Sequence, residues 1–173
     1  MSADTVRNEK NALVLFGSPR KAGFTARLLT QYLAGLSGYR VRVIDAYEQA
    51  ALPCTACGYC ETHVACAIND LDEFYRLLED ADLLVIAVPV YNLGLPAPLK
   101  AMVDRMQVYW SRRFKQNIRP PITKPKQGVL LLTAGKQSGG GIDVVKNALL
   151  RVFTVLNVVD TDVQVLTGTD GMK

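Results

Sequence analysis

The 173-residue sequence is poor in the residues that mark several protein classes. Four cysteines are too few for a disulfide-rich scaffold, and with a single histidine, His63, no Ser-His-Asp arrangement is visible. The longest apolar run, around residues 83–90, is less than half of the roughly 20 residues that a membrane span needs. The first ten residues are polar and charged, unlike a secretory signal. We therefore expect a cytoplasmic protein that does not engage a membrane.

Apolar residues make up 49% of the chain and charged residues 21%, as in ordinary globular domains. The length suits one domain and is short for two. We expect residues 1–10 to be an N-terminal extension and residues 11–173 to be a single domain.

Strand-like and helix-like segments alternate along that domain. The predicted strands are 11–16, 39–46, 83–88, 129–133 and 159–166, and the predicted helices are 25–36, 70–81, 98–110 and 142–157. Gly38 is expected to end the first helix. Asp70, with Glu73 three residues later, is expected to cap the second.

This alternation predicts an α/β fold with a five-stranded parallel sheet between two layers of helices. Two layouts compete: half of a dinucleotide-binding fold, or a flavodoxin-like sheet in the order 2-1-3-4-5. In either, ligands bind beyond the carboxyl ends of the strands. A flavodoxin-like domain usually continues into a final helix, but we expect none after the fifth strand of this sequence, so either the sequence is shortened or a partner subunit covers that face.

The loop after the first strand, residues 17–25, is suited to hold an anion. It offers hydroxyl groups, cations and small residues before the first turn of a helix, whose N–H groups and dipole favour negative charge. The GxxxxGK[ST] pattern is absent, so the loop is not a P-loop. The GxGxxG pattern is absent as well, so a dinucleotide pyrophosphate is disfavoured. The alternative is a polar turn capped by Thr25.

Gly17-Ser-Pro-Arg20 followed by Thr25 resembles the phosphate loop of the NAD(P)H-dependent FMN reductases, a flavodoxin-like family. The family usually has Gly-Asn-Thr where this chain has Gly23-Phe24-Thr25, so the backbone N–H of Phe24 would replace the asparagine. The resemblance implies a phosphate site of Ser18, Arg20, Phe24, Thr25 and Ala26.

The segment after the third strand resembles the Pro-x-Tyr…Leu-Lys…Asp-Arg segment of the same family. The resemblance implies that Pro89, Val90, Tyr91 and Asn92 lie along the isoalloxazine ring and donate backbone hydrogen bonds to its polar edge. Thr133, Ala134 and Gly135, after the fourth strand, are expected to contact the ring as well. The alternative is that Tyr91 only packs and that the glycines near residue 140 only give flexibility.

All four cysteines lie in one segment after the second strand, with the spacing C-x2-C-x2-C-x5-C: Cys54, Cys57, Cys60 and Cys66. Such gaps let successive thiolates turn toward one centre. The pattern resembles the compact motif of the iron–sulfur flavoproteins, which implies a [4Fe-4S] cluster near the flavin of a neighbouring subunit. Plain thiols, a reversible disulfide and a zinc site that includes His63 are the alternatives.

Seven basic residues and no acidic one lie between residues 105 and 126. This stretch is expected to be a solvated face or a subunit interface, or to attract the 2′-phosphate of NADPH or an acidic redox partner. No recognition motif points to nucleic acid.

The resemblance implies an FMN-dependent oxidoreductase that accepts hydride from NADH or NADPH and reduces a flavin, a quinone or another small acceptor. The flavin does the chemistry, so no catalytic side chain is expected. The alternative is an iron–sulfur flavoprotein that passes single electrons to a ferredoxin-like partner. Either is expected to form homodimers or homotetramers.

Overall fold

The five strands form one parallel sheet in the order β2-β1-β3-β4-β5, which confirms the flavodoxin-like arrangement. The structure, a computed structural model, describes residues 9–136 and 140–172. The strands are β1 Lys10–Phe16, β2 Tyr39–Asp45, β3 Leu83–Pro89, β4 Lys126–Thr133 and β5 Val158–Leu166. The central strands β1, β3 and β4 are buried on both faces because almost all of their residues are apolar.

Helices cover both faces of the sheet. They are α1 Phe24–Ala34, α2 Ala46–Gln49, α3 Asp72–Asp80, α4 Ala97–Arg105, α5 Gln107–Phe114 and α6 Gly141–Phe153, with short 3₁₀ helices at Tyr59–Glu61 and Thr169–Gly171. Helix α1 packs on the face that carries Val14 and Val85. Helices α3 to α6 pack on the face that carries Leu15 and Ile86.

The predicted helix at 98–110 is instead two helices, α4 and α5, which meet at Met106. The N–H of Met106 bonds to the carbonyl oxygen of Val103, and the N–H of Tyr109 to that of Met106. These bonds span three residues rather than four, so the chain tightens and the regular α-helical bonding is interrupted at Met106. No proline or glycine marks this point, so the sequence pattern does not reveal it.

Two predicted helix ends are also wrong. Helix α1 ends at Ala34 with Gly35 as its cap, and Gly38, with φ of 77°, instead turns the chain into β2. Helix α3 starts at Asp72 without a side-chain cap. Asp70 is not free to cap it, because its carboxylate binds Arg105 and accepts the N–H of Leu52.

Two predictions fall partly outside the described residues. The expected extension, residues 1–10, is described only from residue 9, and β1 begins at Lys10. Residues 137–139 of the loop between β4 and α6 are likewise not described. Among the described helices, none is both long and apolar enough to cross a membrane.

Candidate functional site

A cavity of about 1090 Å³ opens at the carboxyl edge of the sheet. The loops after β1, β3 and β4 meet there, as parallel strands require. Its lining contains all but one of the residues expected to bind FMN: Ser18, Arg20, Phe24, Thr25, Pro89, Val90, Tyr91, Asn92, Thr133, Ala134 and Gly135. Ala26 is the exception, because it lies inside the first turn of α1 and does not line the cavity.

One end of this cavity is the amino end of α1. Its cap, Gly23, has no side chain to occupy the free N–H groups, and the first turn contains no acidic residue. The Oγ of Ser18, which is buried, accepts the N–H of Arg20 at 3.2 Å and shapes the turn. Lys21 points elsewhere and pairs with Asp45 and Glu48. Arg20 is therefore the cation of this loop that lines the cavity.

A buried hydrogen bond ties the first loop to the fourth strand. The Oγ1 atoms of Thr25 and Thr133 lie 2.7 Å apart, and both residues are 3% exposed. The bond fixes the start of α1 against the end of β4, which are separated by 108 positions in the chain. It holds the walls of the cavity at a defined spacing.

The loop after β3 closes into a tight hairpin between Tyr91 and Gly94, which exchange two backbone hydrogen bonds of 3.0 and 2.8 Å. Asn92 and Leu93 between them have φ of 48° and 60°, as in a type I′ turn. Asn tolerates this conformation, whereas Leu is strained in it. Among the described residues, no acceptor binds the N–H of Asn92 or Leu93. The hairpin thus presents two free donors beside the Tyr91 ring.

The segment after β5 forms a further wall that the sequence analysis missed: Thr167, Thr169 and Asp170 line the same cavity. The N–H of Thr169 donates to the carbonyl of Ala134 at 3.2 Å, and that of Asp170 to Gly135 at 3.1 Å. The predicted strand order contained the signal, because β5 lies beside β4 and ends at the same edge. Leu93, Lys136 and residues 140–143 were missed as well.

The four cysteines line a second cavity, of about 390 Å³. The facing wall comes from the end of α4 and from α5, and includes Arg105 and Ser111. All four cysteines are free thiols; Cys54 and Cys57 are exposed, and Cys60 and Cys66 are partly buried. Within the described chain, no three His, Cys, Asp or Glu side chains converge on a position for a single metal ion. The spacing gives no preformed zinc site.

Side chains from α4, from α5 and from Gln116 just after α5 donate hydrogen bonds to carbonyl oxygens of the cysteine segment. Arg105 donates to Leu52 at 3.0 Å and to Ile68, and Arg112 donates to Val64. Gln116 donates to Cys60 at 2.8 Å and to His63 at 2.9 Å. Together these bonds hold an irregular segment in one position.

The centre of this anchoring is Arg105, whose side chain is fully buried. Burial is the largest single influence on the pKa of Arg105 and lowers it. The hydrogen bond to Asp70, together with smaller contributions from Tyr75, Cys66 and the charge of Asp70, exceeds this influence, so the pKa rises. Burial alone would likewise raise the pKa of Asp70, but hydrogen bonds from Arg105 and from the N–H of Leu52 lower it. Both shifts favour the charged forms, as expected for an ion pair between a buried arginine and a partly buried aspartate.

The basic stretch is mostly engaged within the fold. Beyond Arg105, Arg112 pairs with Glu79 at 2.7 Å and Lys124 pairs with Asp82 at 3.0 Å. Lys126 is buried, and burial lowers its pKa to about 8. None of the seven residues lines the first cavity. The stretch therefore stabilises the fold more than it forms a patch for an anion.

A parallel sheet in the order 2-1-3-4-5, with a cavity at its carboxyl edge lined by the start of α1 and by the Tyr91–Gly94 hairpin, defines a flavodoxin-like fold. Comparison with known families specifies this class. Residues 11–170 match the NADPH-dependent FMN reductases, and the chain belongs to that family.

Relatives and solved structures agree with this assignment. An iron–sulfur flavoprotein of Archaeoglobus fulgidus is 30% identical over 150 residues, which cover 85% of this chain and 65% of the relative. An FMN-dependent NADH:quinone oxidoreductase of Thiobacillus denitrificans is 38% identical over 110 residues, which cover 61% of this chain and 52% of the relative. The fold resembles that of an NAD(P)H:quinone oxidoreductase from Methanothermobacter marburgensis, with a TM-score of 0.74, 20% identity, and coverage of 91% of this chain and 83% of that one.

The chain spans 63–69% of the length of the first three curated relatives, all iron–sulfur flavoproteins. The family and the fold are thus shown for this chain, whereas the activities of those longer proteins are not thereby assigned to it.

Proposed function

We propose that this chain is an FMN-dependent oxidoreductase that takes electrons from NADH or NADPH and passes them to a flavin, a quinone or another small acceptor. The observation that carries the proposal is the first cavity, where an open helix end with Arg20 lies at one side and the Tyr91–Gly94 hairpin at the other. FMN has the matching parts: a phosphate, and a flat ring with a polar edge.

The donor set of the cavity fits FMN. The N–H groups of the first turn of α1 and the guanidinium of Arg20 suit a phosphate dianion. The free N–H groups of Asn92 and Leu93 suit the pyrimidine edge of the ring, where electron-rich atoms need donors. Bound FMN supplies the hydride and electron transfer chemistry. The chain binds and orients it, with Tyr91 and the segment after β5 as further walls of the cavity.

The test is FMN binding by the purified chain, measured by quenching of flavin fluorescence. Arg20→Ala is expected to weaken binding by roughly 1.5–3 kcal/mol, about tenfold to 150-fold, because a charge-assisted contact is lost. Lys21→Ala is the matched control. It removes the same charge from the neighbouring position, but the side chain of Lys21 pairs with Asp45. Equal FMN affinity for both variants and the unmodified chain would contradict the assignment of Arg20.

A second candidate function is electron transfer by an iron–sulfur flavoprotein. The specific observation that favours it is that Cys54, Cys57, Cys60 and Cys66 all line one cavity. A four-iron cluster takes one thiolate ligand at each of its four irons, and four cysteines around one cavity supply that number of ligands. The cysteines would hold the cluster, which would supply one-electron chemistry.

Steady-state kinetics and spectroscopy separate the two candidates. Oxidation of NADH or NADPH with free flavin or quinone as the acceptor supports the first. Iron and sulfide near four per chain after anaerobic purification, with a broad absorption shoulder beyond the flavin bands, support the second. Colourless, iron-free protein prepared without oxygen would exclude the cluster.

The homodimer or homotetramer and the ferredoxin-like partner stay predictions. Sedimentation equilibrium of the FMN-loaded chain tests the first, and binding of a reduced ferredoxin tests the second.

A further inference from the structure

A buried hydroxyl group on α5 contacts the cysteine cavity. Ser111 is 1% exposed, and its Oγ lies 3.4 Å from the Sγ of Cys60. Among the described residues this sulfur is its one hydrogen-bond partner. A serine within a helix commonly bonds a carbonyl oxygen of the preceding turn, so a contact with sulfur on the buried face of α5 calls for another explanation.

A second buried donor lines the same cavity. The Nη1 and Nη2 atoms of Arg105 are bound by Leu52, Ile68 and Asp70, but no acceptor among the described residues binds its Nε. A buried N–H without an acceptor is unfavourable, because the group loses its hydrogen bonds to water and gains none in the protein. The cavity therefore brings four sulfur atoms together with a hydroxyl group and a guanidinium group that has a donor to spare.

We propose that Ser111 and Arg105 are positioning residues that stabilise negative charge on the cysteine sulfurs, with Ser111 donating its O–H to Cys60 and Arg105 supplying an N–H and a positive charge to the cavity. A thiolate carries no proton, so the hydroxyl group must be the donor. This inference rests on the second candidate function, in which the four thiolates hold an iron–sulfur cluster.

The consequence is an effect on reduction potential. Reduction adds one electron to a cluster that is already surrounded by thiolates. Hydrogen bonds to the ligating sulfurs and a nearby fixed cation stabilise the added charge, and so raise the potential. Asp70 offsets part of the charge of Arg105, because it pairs with the Nη2 atom at 2.8 Å. Among the described residues, no charged side chain binds the hydroxyl group of Ser111. Its effect on the potential is therefore easier to measure than that of Arg105.

The experiment uses the chain after anaerobic reconstitution with iron and sulfide. Iron content, the EPR spectrum of the reduced form and the midpoint potential are measured for the unmodified chain and for Ser111→Ala, Ser111→Thr and Thr62→Ala. Thr62→Ala is the matched control, because its hydroxyl group lies in the same segment, is exposed, and contacts Tyr59 and His63 instead of a cysteine.

Ser111→Ala is expected to keep its iron and to become harder to reduce. Loss of one hydrogen bond changes the one-electron equilibrium constant by up to about tenfold, which is a fall in midpoint potential of up to roughly 59 mV. Ser111→Thr keeps the hydroxyl group and is expected to return the potential toward the unmodified value, and Thr62→Ala is expected to leave it unchanged. A Ser111→Ala potential equal to that of Thr62→Ala would overturn the role of Ser111.

Arg105 is tested against Arg112, which anchors the same segment but does not line the cavity. Arg105→Lys keeps the charge and loses the planar set of donors, so we expect it to lower the potential or the iron content more than Arg112→Lys does. Equal effects would overturn the role of Arg105. An unmodified chain that takes up no iron would overturn the cluster and this inference together, whereas flavin binding in the same samples reports on the first proposed function independently.

Discussion

The two cavities of this molecule are built in different ways. The first lies where four parallel strands end, and its donors are mostly backbone N–H groups and hydroxyls that the sheet and α1 place there. The second lies beside an irregular segment of some twenty residues between α2 and α3. That segment keeps its position through side chains of α4, of α5 and of Gln116 just after α5, which bind its carbonyl oxygens.

This difference shows how much each site depends on single residues. The strand order alone brings the loops of the first cavity together, so the loss of one side chain leaves its walls in place. The second cavity depends on a few long-range hydrogen bonds, so the loss of one residue is expected to release part of the segment. The following substitutions test that contrast.

Arg105→Met is expected to have the largest effect, a loss of about 3–5 kcal/mol of unfolding free energy, because it leaves the partly buried Asp70 unpaired and frees two carbonyl groups. Urea denaturation measures it. Arg113→Met is the matched control, since Arg113 makes one exposed bond to Thr154 and should cost no more than about 1 kcal/mol. Similar losses for both variants would mean that Arg105 does not anchor the segment.

Thr133→Val should cost about 1–3 kcal/mol, because the hydroxyl of Thr25 would stay buried without its partner. FMN affinity is expected to fall with it, while the reactivity of the cysteines toward a thiol reagent stays unchanged. Thr154→Val, on the surface, should change stability by no more than about 0.5 kcal/mol. A change in thiol reactivity in Thr133→Val would show that the two cavities are not independent.

Gln116→Leu removes two hydrogen bonds to the segment, a partly buried one to Cys60 and an exposed one to His63, and we expect a loss of roughly 1 kcal/mol. Hydrogen exchange should rise in residues 57–64 and stay constant in the hairpin at residues 89–94. Faster exchange in both regions would argue for general destabilisation instead of local release.

A fall in pH is expected to change the unfolding free energy the least. This effect too arises beside the second cavity, at the pair of Asp70 and Arg105. The pKa of Asp70 is lowered in the folded state, so below about pH 4, the ordinary value for an aspartate, the unfolded state binds more protons than the folded one. The stabilisation by Asp70 is therefore complete above that pH and is lost as the pH falls through the folded pKa. The difference in unfolding free energy between the unmodified chain and Asp70→Asn should shrink over the same window. A difference that does not vary with pH would contradict this.

The fold was largely predictable because the buried strands are apolar without interruption and helices separate them. Val14 and Val85, for example, lie in two of these apolar strands, and they are paired and fully buried in the sheet. The break at Met106 was not predictable, because it depends on where α5 must pack and not on a local signal. The role of Asp70 was predicted wrongly for a similar reason: a local capping pattern yields to a buried arginine 35 positions away.

The candidate sites show the same division. Arg20 and Tyr91 lie in recognisable motifs directly after β1 and β3, so the sequence was enough to predict that they line the first cavity. The position of Asp170 at the first cavity could also have been predicted, but only by noting that β5 ends beside β4 in the expected strand order. The contact between Ser111 and Cys60 joins residues 51 positions apart through packing alone, and no pattern in the chain announces it.

Helix α4 has a consequence for the distance between the sites. It begins a few residues after the Tyr91–Gly94 hairpin and ends at Arg105, so it runs from the first cavity to the second. Nine residues at about 1.5 Å each give a rod of about 13.5 Å. The helix therefore connects the hairpin that lines the first cavity to Arg105 in the wall of the second, over a length that its backbone hydrogen bonds fix.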